Sequence, residues 1–288
     1  MSALASVSAR RRRTDRVARG LIAAATLVAL VPLVLVVYYL LERGLGAIDG
    51  SFFTSDPTGN FLGDQGGVRS AILGTIEMVA LAALIAIPLG IGVGLYLVEY
   101  GKQSRFAQLV RYFVDVMTGV PSIVFGLFIY VALVLGGFGG QSFTGYKGSL
   151  ALSLLMLPIV ARSAEVVLAL VPDSLREAAL ALGAPRWKVT MRVVLPTALP
   201  GLVTGSLLAV ARGAGETAPL LFTAAAVNGL SFNLDQRMNS LPVQIFTDVA
   251  QPNDQLVQRA WGSALVLVAL VFLLTLIARF AQRRSRSI

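Results

Sequence analysis

The sequence predicts an all-α, polytopic membrane protein, on three observations. Six apolar runs divide the chain, each long enough to cross a bilayer core that takes about 20 helical residues. Charged residues gather between those runs rather than inside them. The chain is 56% hydrophobic and only 14% charged, with a mean hydropathy of +0.77, whereas soluble domains carry roughly 25% charged residues. The net charge of +9 would suit a nucleic-acid binder, but its placement at the ends of apolar runs points to membrane orientation instead. With no cysteine and no histidine, disulfides, thiolate chemistry and histidine-based metal or acid–base sites are excluded.

Residues 1–20 form a basic segment carrying Arg10, Arg11, Arg12, Arg13, Arg16 and Arg19. The first span is Leu21 to Leu41. A cleaved signal peptide would have an apolar core of about 7–15 residues followed by small residues. This run is longer and ends in Tyr-Tyr-Leu-Leu-Glu, so a retained helix is expected, with Tyr38 and Tyr39 at the interface. A polar Gly/Asp-rich loop leads to the second span, Val68 to Val98, where Gly90, Gly92 and Gly94 read as close-packing positions rather than a nucleotide loop. A basic loop, Tyr100 to Arg111, precedes the third span, Val114 to Leu135. Within it Gly119 and Pro121 weaken the helix, and a break at depth must be sheltered by protein. Gly136 to Gly148 is a Gly-rich loop. Its Gly140, Gly145 and Lys147 mimic a P-loop, but the lysine is one position off and no strand precedes it. The remaining spans are Ser149 to Val171, Ala198 to Val227 and Trp261 to Phe280, with a polar loop, Asn228 to Gln258, before the last. The five later spans form one unit, residues 68–282.

Six spans with the N-terminus inside place eighteen of the 24 Lys and Arg residues in inner segments and only Arg43, Arg69, Lys147, Arg237 and Arg259 outside, with Arg212 inside a span. That bias obeys the positive-inside rule. Both termini, and the polar stretch between the fourth and fifth spans, are therefore expected in the cytoplasm.

That stretch, residues 173–192, is patterned as two short helices. Ser174 and Glu177 have capping-box spacing. Leu175, Ala178, Ala179 and Leu182 make one narrow apolar stripe. Gly183 occupies a helix-stopping position, and Pro185 suits the first residue of a second helix. Such a hairpin either docks its small-residue face in a groove of another protein or lies on the membrane surface with Glu177 as a mere cap.

The fifth span holds Arg212 and Glu216. Intramembrane charges are costly and face a cavity or each other, and i, i+4 spacing lets this pair meet. Arg212 lies ~17 Å along a helix from Gly201, near the middle of a ~30 Å core. As a structural salt bridge the pair would lock span five to its neighbours. As a site, the guanidinium would hold an oxyanion in bidentate fashion, with Gly213 and Gly215 leaving room and Pro219 freeing a backbone carbonyl. Glu77, in span two, is a third intramembrane charge.

Several of these stretches resemble one family. Glu177, Ala178, Ala179, Gly183, Val193, Leu195 and Pro196 are similar to the EAA signature of ABC-importer permease subunits, with valine for the usual isoleucine. GVPSIVFGL (Gly119 to Leu127), RGAGETAPLLFTA (Arg212 to Ala224) and SLPVQIF (Ser240 to Phe246) resemble the A-type permease of phosphate-specific ABC importers. The resemblance runs from span two to the C-terminus. It implies a MetI-like, type I importer permease of the cell membrane whose EAA segment couples to a cytoplasmic ATPase. It further implies a second homologous permease subunit, two ATPase subunits and an extracytoplasmic phosphate-binding protein. No cofactor would bind this chain, and the partner ATPases would hydrolyse ATP with Mg. A permease for sulfate or molybdate is the nearest alternative. A self-sufficient secondary transporter lacks support from an inverted repeat, and no residue constellation supports an intramembrane hydrolase.

Overall fold

A computed structural model describes residues 9–59, 65–102, 104–136, 140, 142–225 and 227–285. The fold is helical, and the described residues form no sheet, only an isolated antiparallel bridge between Pro57 and Gly66. The helices are α1 (Ala9–Leu45), α2 (Arg69–Leu95), α3 (Arg105–Gly119), α4 (Ser122–Ile129), α5 (Gly145–Ala169), α6 (Asp173–Ala181), α7 (Arg186–Val189), α8 (Leu195–Ala214), α9 (Ala218–Leu221), α10 (Leu241–Val249) and α11 (Asp254–Ser285). Three π-helical stretches extend them: Tyr96–Gly101 after α2, Tyr130–Leu135 after α4 and Thr190–Val194 between α7 and α8.

Five helices are long and apolar enough to cross a membrane, and one bent pair makes a sixth. Large apolar side chains such as Val28, Leu84 and Phe272 stand outward, 71%, 72% and 62% exposed. Acyl chains cover such a surface at no cost, and water does not. The molecule is a multi-pass membrane protein.

The third span differs from the expectation. The segment expected as a basic loop is already helical from Arg105, because Ser104 caps α3 by accepting the Ala107 N–H at 3.1 Å. The chain then bends by 103° between Gly119 and Ser122. Val120 is extended, as a residue before proline must be, and Pro121 starts the next helix. The fifth run also divides. Its helix ends at Ala214, the backbone breaks over Gly215–Thr217, and α9 follows.

The core is built on α2, α5 and α8, around Met78, Leu152, Met156 and Ala209. Close approach of α2 to α5 is set by two of the three glycines noted in sequence. A β-carbon on Gly90 would lie 2.7 Å from Val160 Cβ, and one on Gly94 would lie 2.6 Å from Ala164 Cβ. Gly92 faces open space. In contrast, α1 has none of its apolar window buried and packs mainly on α11.

At the end opposite the α6–α7 hairpin, a buried polar chain fixes α10 to α11. Asn239 donates to Gln244, Gln244 donates to Asp248, and Asp248 takes both Arg259 Nε and Nη2 at 2.8 Å. Lys147, buried at 2% exposure, donates to the Gly140 and Ser142 carbonyls at 2.6 and 2.8 Å. It ties together its own loop.

Candidate functional site

The candidate residues fall into two groups at different places in the fold. The first is the break at the end of α8. Arg212 occupies the last turn of that helix, where backbone carbonyls favour a cation. Glu216 lies just past the helix end, and its Oε1 is 3.5 Å from Arg212 Nε. The Arg212 side chain is 60% exposed and the Glu216 side chain only 16%. The carboxylate is thus held within the protein while most of the guanidinium's five donors stay open.

One detail of the expected surroundings is corrected. Gly213 does not leave room beside Arg212, because its missing β-carbon would sit 2.9 Å from Met156 Sδ and so serves α5–α8 packing. Gly215 leaves more room, with only the Arg212 and Ala211 carbonyl oxygens near where a β-carbon would sit, at 3.7 and 4.0 Å. Pro219 lies in the first turn of α9, where its missing N–H is tolerated. Glu77 is half-buried on α2, and no hydrogen bond or ion pair joins it to Arg212 and Glu216.

The second group is the hairpin. Helix α6 starts at Asp173 after Pro172, without a side-chain cap, so the capping box on Ser174 and Glu177 does not form. Glu177 is exposed. The stop at Gly183 forms as expected, with φ +80°. The Gly183 N–H binds the Leu180 carbonyl at 2.9 Å, and the Ala184 N–H binds that of Ala179 at 3.2 Å. These are the two bonds of a Schellman turn. The apolar stripe has little to lie on within the chain: Leu175 and Leu182 are 42% and 90% exposed, Ala178 is exposed, and only Ala179 packs on the local core.

The second arm is not a separate short helix. Pro185 caps it rather than opening it, and from Arg186 the chain runs helically to Ala214 as one span. The π turn Thr190–Val194 falls just before Leu195 and Pro196. Proline cannot donate to the fourth carbonyl before it and crowds it, which a π turn relieves. The hairpin and Arg212 are therefore ends of the same rod.

A set of charges missed in sequence ties the hairpin to the core. Arg176 of α6 binds Glu99 at the end of α2, at 2.8 and 3.1 Å. Arg111 of α3 binds Glu165 of α5 at 2.6 Å. Arg162 reaches the same Glu165 at 2.8 Å and lies 3.9 Å from Asp115. Arg176 and Glu99 are 77 positions apart, so no local spacing rule finds them. A crevice of about 270 Å³, lined in part by Glu99, Lys102, Arg176, Glu177 and Arg186, opens between hairpin and α2.

The described residues form an all-helical bundle with a broken span and a polar hairpin whose apolar stripe is largely exposed. Residues 86–287 match the family described as binding-protein-dependent transport system inner membrane component, and the chain belongs to it. It is 41% identical over 285 residues to phosphate transport system permease protein PstA 1 of Mycobacterium tuberculosis (strain CDC 1551 / Oshkosh), covering 96% of this chain and 92% of that one. It is 40% identical over 277 residues to phosphate transport system permease protein PstA of Yersinia pestis, covering 95% and 92%. Among solved structures, a bacterial alginate ABC transporter in complex with alginate pentasaccharide-bound periplasmic protein matches with TM-score 0.68 at 15% identity, covering 96% of both chains. The inward-facing MetNI methionine ABC transporter matches with TM-score 0.61 at 21% identity, over 75% of this chain and 94% of that one. These two likenesses concern the fold.

Proposed function

We propose that this chain is a permease subunit of an ATP-driven importer of inorganic phosphate. It forms half of the translocation pathway beside a second, homologous permease. Two cytoplasmic ATPases bind ATP and Mg, an extracytoplasmic phosphate-binding protein delivers substrate, and this chain catalyses no reaction. The observation that carries the reading is the 41% identity, over nearly the whole chain, to a phosphate transport permease. The geometry supplies a mechanism. The exposed stripe of α6, with Glu177, Ala178, Ala179 and Gly183, docks on the ATPase. Movement there passes along the helix begun by Arg186, through Leu195 and Pro196, to Arg212.

At the break, Arg212 attracts an oxyanion and Glu216 selects among them. Monohydrogen phosphate carries a proton that a half-buried carboxylate such as Glu216 can accept as a hydrogen bond. Sulfate offers none and meets an unmatched negative charge, and mismatches of this kind discriminate by ~10⁴-fold or more. Glu77 is assigned to the pathway wall.

The test is uptake of radiolabelled phosphate by the assembled complex in proteoliposomes, with sulfate and molybdate as competitors. ATP-dependent phosphate uptake that excess sulfate leaves unchanged is expected. Preferential uptake of sulfate or molybdate would replace the substrate, and uptake without an ATPase would replace the transporter class.

A further inference from the structure

Arg176 and Glu177 are neighbours on α6 with opposite fates. Glu177 is exposed, while Arg176 turns inward at 15% exposure. Its guanidinium joins three helices. Nε and Nη2 bind Glu99 of the stretch that ends α2, Nη2 also binds the Leu168 carbonyl at 3.0 Å, and Nη1 binds the Val171 carbonyl and, at 3.0 Å, Asp173. Leu168 stands in the last turn of α5 and Val171 two residues past its end, and the Leu168 carbonyl also accepts the Val171 N–H at 3.3 Å.

Arg111 makes the reciprocal arrangement. It pairs with Glu165 of α5 and takes the Leu97 and Lys102 carbonyls, both at 3.1 Å, at the end of α2. Each arginine thus holds a carboxylate from one of these two helices and the backbone end of the other. The planar fork of arginine serves several acceptors at once, and a lysine ammonium is a single point.

We propose that Arg176, acting through Glu99, is the positioning residue that makes the α2–α5 pair follow the hairpin when a docked ATPase moves it. This rests on reading the hairpin as the docking element. If Arg176 only capped α5, its loss would lower stability and leave transport per ATP unchanged.

The test uses the assembled complex in proteoliposomes and measures phosphate taken up per ATP hydrolysed. Arg176→Gln and Glu99→Gln should each keep the ATPase bound and hydrolysing, with that ratio lowered about fivefold to tenfold. Arg176→Lys should fall between. The chain has no cysteine, so Arg176→Cys with Glu99→Cys can be bridged by a bifunctional thiol linker, and bridging should restore the ratio. An unchanged ratio in Arg176→Gln, or loss of the ATPase from that variant, overturns the proposal.

A second readout needs no substrate. Spin labels on Ser174→Cys and Leu84→Cys should keep their separation when nucleotide binds, and should change it once Arg176→Gln is added. A separation that already changes with native Arg176 also overturns the proposal. Absence of phosphate uptake by the unaltered complex would count against the substrate, while the label distances still decide the role of Arg176.

Discussion

At the scale of the residue, the pair at the α8 break distinguishes a site from a strut. Arg212→Gln should abolish phosphate uptake. Glu216→Gln should transport slowly or admit sulfate, as measured by competition in proteoliposomes. Exchanging the two, Arg212→Glu with Glu216→Arg, keeps a salt bridge. Full, phosphate-selective uptake by that variant would reduce the pair to a structural tie. Gly183 makes a second residue-scale case. Its φ of +80° is a left-handed conformation, and nothing lies within 4 Å of where a side chain would start. Substitution there meets backbone strain of roughly 1–2 kcal/mol and no clash. Gly183→Asn, which tolerates that conformation, should keep most uptake. Gly183→Val should lose it while still inserting in the membrane. Equal uptake by the two would disprove a conformational requirement.

At the scale of the element, helix ends are held by side chains from elsewhere. Asp56 caps α2 from thirteen residues before Arg69, accepting the Ser70 N–H at 3.1 Å and pairing with Arg69 at 2.6 Å. The hydrogen bond from Arg69 is the main reason its carboxyl titrates below the ordinary value of 3.8. A depressed carboxylate contributes its stability above the unfolded value and loses it as pH falls through the folded one. The loop before α2 should therefore resist proteolysis unchanged from neutrality to about pH 4 and loosen below it. Asp56→Asn should loosen it at every pH, and a variant as resistant as the native protein at neutral pH would show the cap to be idle. Between elements, Gly90→Leu should be destabilising by about 1–3 kcal/mol through overpacking against Val160, read as a lower melting temperature in detergent.

The same scale shows what the sequence could convey. Apolar runs and the Gly-Val-Pro break were legible because length and backbone chemistry are local. The capping box was not a box, since Pro172 already starts α6. The start of α3 at Arg105 was hidden because a helix with one polar face reads as a polar segment. Arg212 and Glu216 were found because charge is conspicuous inside an apolar run. Arg176, Glu99, Arg111 and Glu165 carry no such signal, because their partners lie on other helices and tertiary contact leaves no periodic trace.

At the scale of the whole molecule, the charge asymmetry predicts which end faces the cytoplasm. A lone cysteine at position 235 (Asp235→Cys) should react with an impermeant thiol reagent in intact cells, and one at position 188 (Lys188→Cys) only after permeabilisation. The reverse pattern would invert the topology. The bare flank of α1, which packs mainly on α11, should gain protection from hydrogen exchange when the second permease subunit joins.

The continuous helix from Arg186 to Ala214 has a geometric consequence. Arg212 stands about 39 Å along it from the hairpin, at ~1.5 Å per residue. A tilt of ~10° about the hairpin end would sweep the guanidinium through ~7 Å on that length, more than the width of the ion it is proposed to hold. Leverage of this kind needs no hinge near the substrate, only a stiff beam and a fulcrum.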